Sequence, residues 1–146
     1  MTTPRQLSDA QLRDCWRALE SSSTVVRTRI HQQLRTETGL PAGWSDVLVL
    51  LAGAPHHRQP MHVAARQTGL TSGGFTKLAD RMEQAGLITR DHATDDRRIV
   101  YLTLTQHGAQ KAADTERIQT AVLRHELAAI SSTDLLTLTK AMRTLR

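Results

Sequence analysis

The chain holds one cysteine, Cys15, in 146 residues. An internal disulfide is therefore excluded, a lone thiolate is too little for a cysteine-rich zinc site, and the usage fits reducing intracellular conditions. Aromatic residues are equally scarce: one Phe, one Tyr and two Trp make up 3% of the chain, which argues against a richly aromatic binding pocket. No run approaches the roughly 18 consecutive apolar residues of a membrane span. The opening MTTPRQLSDA has no apolar segment that could serve as a secretory signal. The expectation is a soluble, cytoplasmic protein with no membrane partner. Ser-His-Asp motifs, phosphate-binding glycine loops and H-E-x-x-H are missing too, so the chain is expected to be neither an enzyme nor a cofactor carrier.

What is present suits one compact domain over residues 1–146, with 39% hydrophobic residues to build a core. The formal charge of +5 and a pI near 10.3 point to an acidic partner, because Lys and Arg that neutralise phosphates release counterions. Charge alone does not locate the contact. Residues 58–98 hold seven Lys/Arg against five Asp/Glu, no denser an excess than the flanks.

Ser8 with Gln11 reads as a capping box, which predicts a long helix from about residue 8 to 38. Leu12, Trp16, Leu19, Ser23, Val26, Ile30 and Leu34 recur on one stripe until Gly39 and Pro41 stop it. Trp44–Ala52 is apolar almost all round and reads as a short buried helix, with His56, His57 and Arg58 as a polar link. Two short helices, Met61–Thr68 and Ser72–Ala85, joined by Gly69, Leu70 and Thr71, make a helix-turn-helix candidate. After Gly86 the period changes. Leu87–Arg90 and Ile99–Leu104 are rich in β-branched and aliphatic residues and predict a β-hairpin, or wing, around an Asp91–Arg98 loop. Thr105 should cap a helix from Gln106 to about Ile130, with Ala109, Ala113, Ile118, Val122 and Leu127 at helical spacing. Ser131 with Asp134 should begin a last helix carrying Leu135, Leu138, Met142 and Leu145. The expected fold is mainly α with a small β-hairpin wing: a winged helix-turn-helix core over about 43–105, flanked by long helices over about 8–38 and 106–146.

The stretch from Gly69 to Thr105, GLTSGGFTKLADRMEQAGLITRDHATDDRRIVYLTLT, resembles the DNA-binding core of the MarR family of bacterial regulators. A G-L-T turn, a helix ending D-R-M-E-Q-A-G-L-I-T-R, an acidic loop with D-D-R-R, and a strand ending L-T-L-T before Q-H-G follow in order. The flanking helices extend the resemblance to almost the whole chain. It implies a homodimeric transcription regulator that reads a pseudo-palindromic operator in double-stranded DNA, a repressor relieved by a small molecule. It also implies that the flanking helices form the dimerisation region. Ala64 and Thr68 depart from the larger aliphatic residues usual before the turn, so the first motif helix is expected to pack less tightly.

A recognition helix presents its first residues to base edges and its first N–H groups to phosphate. Ser72, Gly73, Gly74, Thr76 and Lys77 occupy that place, whereas Phe75, Leu78 and Met82 follow a core-facing stripe. Gly73 and Gly74 have a structural reading as well, tolerance of a tight helix entry. Arg81 is a candidate phosphate contact, although Asp80 could engage it as a surface pair. In the wing, Arg97 and Arg98 follow Asp95 and Asp96 where a guanidinium can enter a narrow minor groove. The resemblance assigns Asp96 to brace the tip, Arg98 to insert, and Arg97 to touch the DNA backbone or the wing itself.

Leu135, Leu138, Met142 and Leu145 have two readings, dimer interface or intramolecular core. Relatives of this family release DNA when a small aromatic or other lipophilic effector binds, and Trp16 and Trp44 are the candidates for lining such a site. Cys15 supports an alternative, a redox sensor, since one branch of the family uses a cysteine near the start of the first helix. That branch keeps tyrosines beside it, and the sole Tyr here is Tyr101. His56, His57 and His62 lack metal-ligand spacing. His31, His107 and Glu37 stay open as ligands from separate helices, and no metal is assigned. A further alternative is a winged-helix module for protein contacts without specific DNA binding.

Overall fold

Ser8 opens the first helix in the computed structural model, which describes residues 7–94 and 96–145. Its hydroxyl accepts from the Gln11 N–H at 3.3 Å, and its own N–H donates to Gln11 Oε1 at 2.9 Å. This satisfies two of the donors a helix start leaves orphaned. Helix α1 runs Asp9–Thr38, about 45 Å at 1.5 Å per residue, and ends on Gly39 at φ 67°. Five further helices follow: α2 (Ala42–Ala52), α3 (Met61–Thr68), α4 (Ser72–Gln84), α5 (Gln106–Glu126) and α6 (Ser132–Arg143). Strands β1 (Arg58–Pro60), β2 (Ile88–His92) and β3 (Val100–Leu104) form one antiparallel sheet in the order β1-β3-β2.

The wing is therefore three-stranded. The expected polar link at His56–Arg58 is a 3₁₀ turn, Pro55–His57, leading straight into β1. Arg58 pairs with Thr103 and Pro60 with Tyr101. A three-residue strand is too short to show a period, and Pro60 is tolerated because β1 lies at the sheet edge.

Two apolar clusters hold the chain together. The larger one joins Val47, Leu48 and Leu51 of α2, Ala64 of α3, Phe75, Leu78, Ala79 and Met82 of α4, Leu87, Ile88 and Leu102 of the wing, and Ala112 of α5. Ala64 is fully buried there, and the Thr68 hydroxyl donates to the carbonyls of Ala64 and Ala65. The smaller cluster packs Val26, Ile30 and Leu34 of α1 on Ile118 and Val122 of α5.

Two expectations need correction. Only the C-terminal half of the α1 stripe has a partner, since Leu12 and Trp16 are exposed, Trp16 to 62%. In α5 the buried face is Gly108, Ala112, Thr115 and Ile118, and Ala113 is exposed. The α5 spacing predicted a stripe one residue out of register because Gly108 and Thr115, not apolar side chains, make two of its closest approaches.

The α5 start is bound tightly to the wing base. Thr105 caps α5 by accepting from the Gly108 N–H at 2.9 Å, while its hydroxyl donates to Gly86 O at 2.6 Å. A Cβ on Gly108 would lie 1.9 Å from Leu87 O, so only glycine lets α5 come this close. At the other end of the molecule, α6 has no buried residue. Leu136, Leu138, Met142 and Leu145 are exposed along it. Intramolecular core is thereby excluded for Leu138, Met142 and Leu145, and Leu135 is half-buried.

Candidate nucleic-acid interface

Thr71 fixes where α4 begins. Its hydroxyl accepts from the Gly74 N–H at 3.2 Å, the side-chain cap that predicted this boundary. Phe75, Leu78, Ala79 and Met82 then pin the inner face of the helix into the core. Ser72, Gly73, Gly74 and Lys77 are left exposed and Thr76 half-buried, its hydroxyl donating to Ser72 O at 2.9 Å. The two glycines differ. A Cβ on Gly74 would meet Thr71 Oγ1 at 3.0 Å, so the cap accounts for that residue, whereas a Cβ on Gly73 meets nothing within 4 Å.

Arg81 is exposed one turn further along. The surface pair expected between Asp80 and Arg81 is not formed. Asp80 instead accepts from Arg90 of β2 at 2.5 Å, because strand β2 runs alongside α4 and brings the guanidinium to that carboxylate. Sequence reasoning missed Arg90. The signal it offered was a pair of acids, Asp80 and Glu83, one turn apart and facing the segment that follows.

The wing tip is organised by its own backbone. Asp96 Oδ1 accepts the N–H of Arg98 at 3.0 Å, and the ring Nδ1 of His92 lies 2.8 Å from Arg97 O. Asp96 thus holds the chain beneath the arginine, not its guanidinium. Asp95 lies outside the described residues. Arg97 and Arg98 are exposed, and among the described residues neither is ion-paired. Arg98 lines a hollow of about 210 Å³ with Ser72, Thr76 and His62. The α4 start and the wing arginine therefore share one face, as the sequence reading required. His62, at the start of α3, joins them there without having been singled out for this role.

A second feature lies away from that face. A cavity of about 390 Å³ opens where α1, α2, α3 and α5 meet, walled by Val26, Ile30 and Val49 with Arg27 and His31 among its polar side chains. The Ser45 hydroxyl lines it and is buried with no hydrogen-bond partner. His31 Nε2 stands 3.4 Å from Asp46 Oδ1, linking α1 to α2 at the cavity. Trp16 and Trp44 do not line this cavity: Trp16 stands on the exposed half of α1, and Trp44 packs partly buried against the larger cluster. Cys15 is exposed beside it in sequence. Tyr101 sits far along the chain in β3, its ring 4.0 Å from the guanidinium of Arg58. Glu37 is engaged by Gln33 at 2.8 Å and by Arg117 at 3.8 Å. Among the described residues no three His, Cys, Asp or Glu side chains converge as a metal set would, and no helix is long and apolar enough to cross a membrane.

A capped second helix with an exposed polar start, followed by a small sheet whose tip carries free arginines, defines a winged helix-turn-helix DNA-binding protein. The MarR family is the one whose model matches, over residues 38–99. Over 74 residues the chain is 38% identical to the organic hydroperoxide resistance transcriptional regulator of Bacillus subtilis (strain 168); the match covers 49% of this chain and half the length of that relative. It is 25% identical over 130 residues to the HTH-type transcriptional repressor MdtR of the same organism, covering 89% of this chain and 79% of that one. The crystal structure of Sco3205 from Streptomyces coelicolor, a MarR family regulator in complex with DNA, superposes with a TM-score of 0.79 at 23% identity, covering 99% of this chain and 91% of that one, which shows a shared fold. This chain belongs to the MarR family of transcription regulators.

Proposed function

We propose that the chain works as a single-domain protomer of a cytoplasmic homodimer that binds a pseudo-palindromic operator and represses transcription until a small molecule relieves it. In this reading the α4 starts of two protomers enter successive major grooves about 34 Å apart, and the Arg98 side chains reach the flanking minor grooves. Ser72, Gly73, Gly74, Thr76, Lys77 and Arg81 form the groove-facing set, and Arg97 contacts the DNA backbone. The observation that carries the reading is Gly73. Nothing inside the fold requires a glycine there, and glycine weakens a helix by up to about 1 kcal/mol. A bare backbone at the exposed start of α4 serves close approach of a duplex. The relatives named as transcription regulators and repressors support the same role.

The exposed apolar residues of α6, with Leu12 and Trp16 of α1, are the surface we assign to the second protomer. The cavity at the junction of α1, α2, α3 and α5 is the effector site in this reading. The unpartnered Ser45 hydroxyl offers a ligand a hydrogen bond, and the apolar walls call for a small lipophilic body, aromatic or otherwise. Selection of bound sequences from random duplexes, followed by titration of the winner at several salt concentrations, tests the reading. A two-fold related motif with affinity falling steeply in salt is expected. A monomer at binding concentrations, or affinity flat in salt, overturns it and favours a protein-contact module.

A further inference from the structure

Arg90 sits in the middle of β2, opposite Leu102 of β3, with its side chain 21% exposed. Its Nη2 donates to Asp80 Oδ1 at 2.5 Å, its Nε lies 3.6 Å from Glu83 Oε2, and its backbone N–H donates to Glu83 Oε1 at 3.2 Å. Among the described residues, every polar contact between α4 and β2 runs through this one residue. The next residue on the strand, Asp91, points to the opposite face by strand alternation. There it accepts from Arg58 of β1 at 2.5 Å. The strand that leads to the wing tip is thus gripped on one face by the recognition helix and on the other by the edge strand.

The core does not perform this task. Leu87 and Ile88 are buried at the wing base, but Arg90 lies two residues further out, roughly 7 Å at 3.3 Å per residue. The Arg98 guanidinium lies beyond it again, past the turn. A small swing of β2 about its base would move Arg98 by several ångströms relative to Ser72 and Thr76. Two recognition elements that must enter adjacent grooves together need a fixed mutual distance.

We propose that Arg90 is a positioning residue for DNA recognition: its clamp on Asp80 and Glu83 sets the wing against α4 so that Arg98 and the α4 start engage one duplex at the same time. The proposal rests on the reading of α4 and the wing as the DNA contacts. It does not make Arg90 a DNA contact itself, since its guanidinium is committed to two carboxylates.

The clamp gives a result opposite to that of charge alone. Removing a carboxylate from a DNA-reading helix ordinarily tightens binding, because it removes repulsion from phosphate. Asp80→Asn removes one and is expected to weaken binding to the selected duplex, because it releases the wing.

The experiment is a double-mutant cycle on folded dimers, checked by circular dichroism and sedimentation, at one fixed salt concentration. Arg98→Ala alone and Arg90→Met alone are each expected to weaken binding by roughly tenfold. Together they are expected to do little worse than either, because Arg98 is already misplaced once the clamp is gone. Arg90→Lys, which keeps the charge and one donor, restores part of the loss. Should Arg90→Met fail to give a folded dimer, Asp80→Asn takes its place in the cycle. Losses that multiply in full, or an Asp80→Asn protein that binds as tightly as the parent, overturn the clamp while leaving the wing as a DNA contact. An Arg98→Ala protein with unchanged affinity overturns the wing contact, and the clamp with it.

Discussion

Asp96 holds Arg98 through the main chain: the carboxylate oxygen accepts the arginine's own N–H at 3.0 Å and leaves its guanidinium free to point outward. Arg98→Ala should therefore remove a DNA contact, whereas Asp96→Ala should only loosen the turn beneath it. On the selected operator, Arg98→Ala is expected to lose roughly tenfold in affinity and to reduce the salt slope by about one, with Asp96→Ala intermediate. Arg124→Ala, exposed on α5 away from this face, is the control. Equal binding by the Arg98 and Arg124 variants would remove Arg98 from the interface.

Gly73→Ala separates stability from binding. With nothing within 4 Å of the added Cβ, the substitution should raise stability by up to about 1 kcal/mol while weakening DNA binding. Chemical denaturation and fluorescence anisotropy measure the two sides. A variant that is more stable and binds equally well would show that close backbone approach at residue 73 is not used.

Leu138→Glu tests the face assigned to the partner protomer. A carboxylate introduced at an exposed α6 position does not disturb the monomer core, because no α6 residue belongs to it. Sedimentation should show a shift toward monomer with helical content kept, and operator affinity should collapse with it. A dimer that survives with full affinity would place the partner surface elsewhere.

Cys15 is exposed, and Tyr101, the sole tyrosine, is engaged with Arg58 in the wing. Treatment with an organic hydroperoxide should leave operator affinity unchanged in both the parent and Cys15→Ser. An affinity loss in the parent that the serine variant lacks would establish the redox alternative.

Local signals carried most of this architecture. Ser8, Thr71, Thr105 and Ser131 each cap the helix whose start they predicted, because a cap is a contact over three residues and is written in adjacent sequence. The α4 start and the wing arginines were legible for the same reason. What was hidden depends on pairing across distance. β1 becomes a strand only through its register with β3. Arg90 meets Asp80 only because β2 folds back along α4, and the sequence offered Arg81, the nearer arginine, as the partner. The two tryptophans read as a pair through their chemistry, yet Trp16 lies on the half of α1 that no other element of the chain covers.

Gly108 fuses two parts that the chain otherwise treats separately. With Leu87 O where a Cβ would be, and Thr105 bonded across to Gly86, the first turn of α5 and the root of the wing have no room to slide. Gly108→Ala should accordingly cost at least about 2 kcal/mol, read as a drop in Tm of roughly 5–10 °C. The 21 residues of α5 then act as a rigid lever of about 30 Å with its fulcrum at the wing. A tilt of about 5° at one end of such a rod displaces the other by about 2.7 Å, close to the reach of one hydrogen bond. A pair of such levers converts a change of inclination far from the duplex into a change in the spacing between the two reading heads.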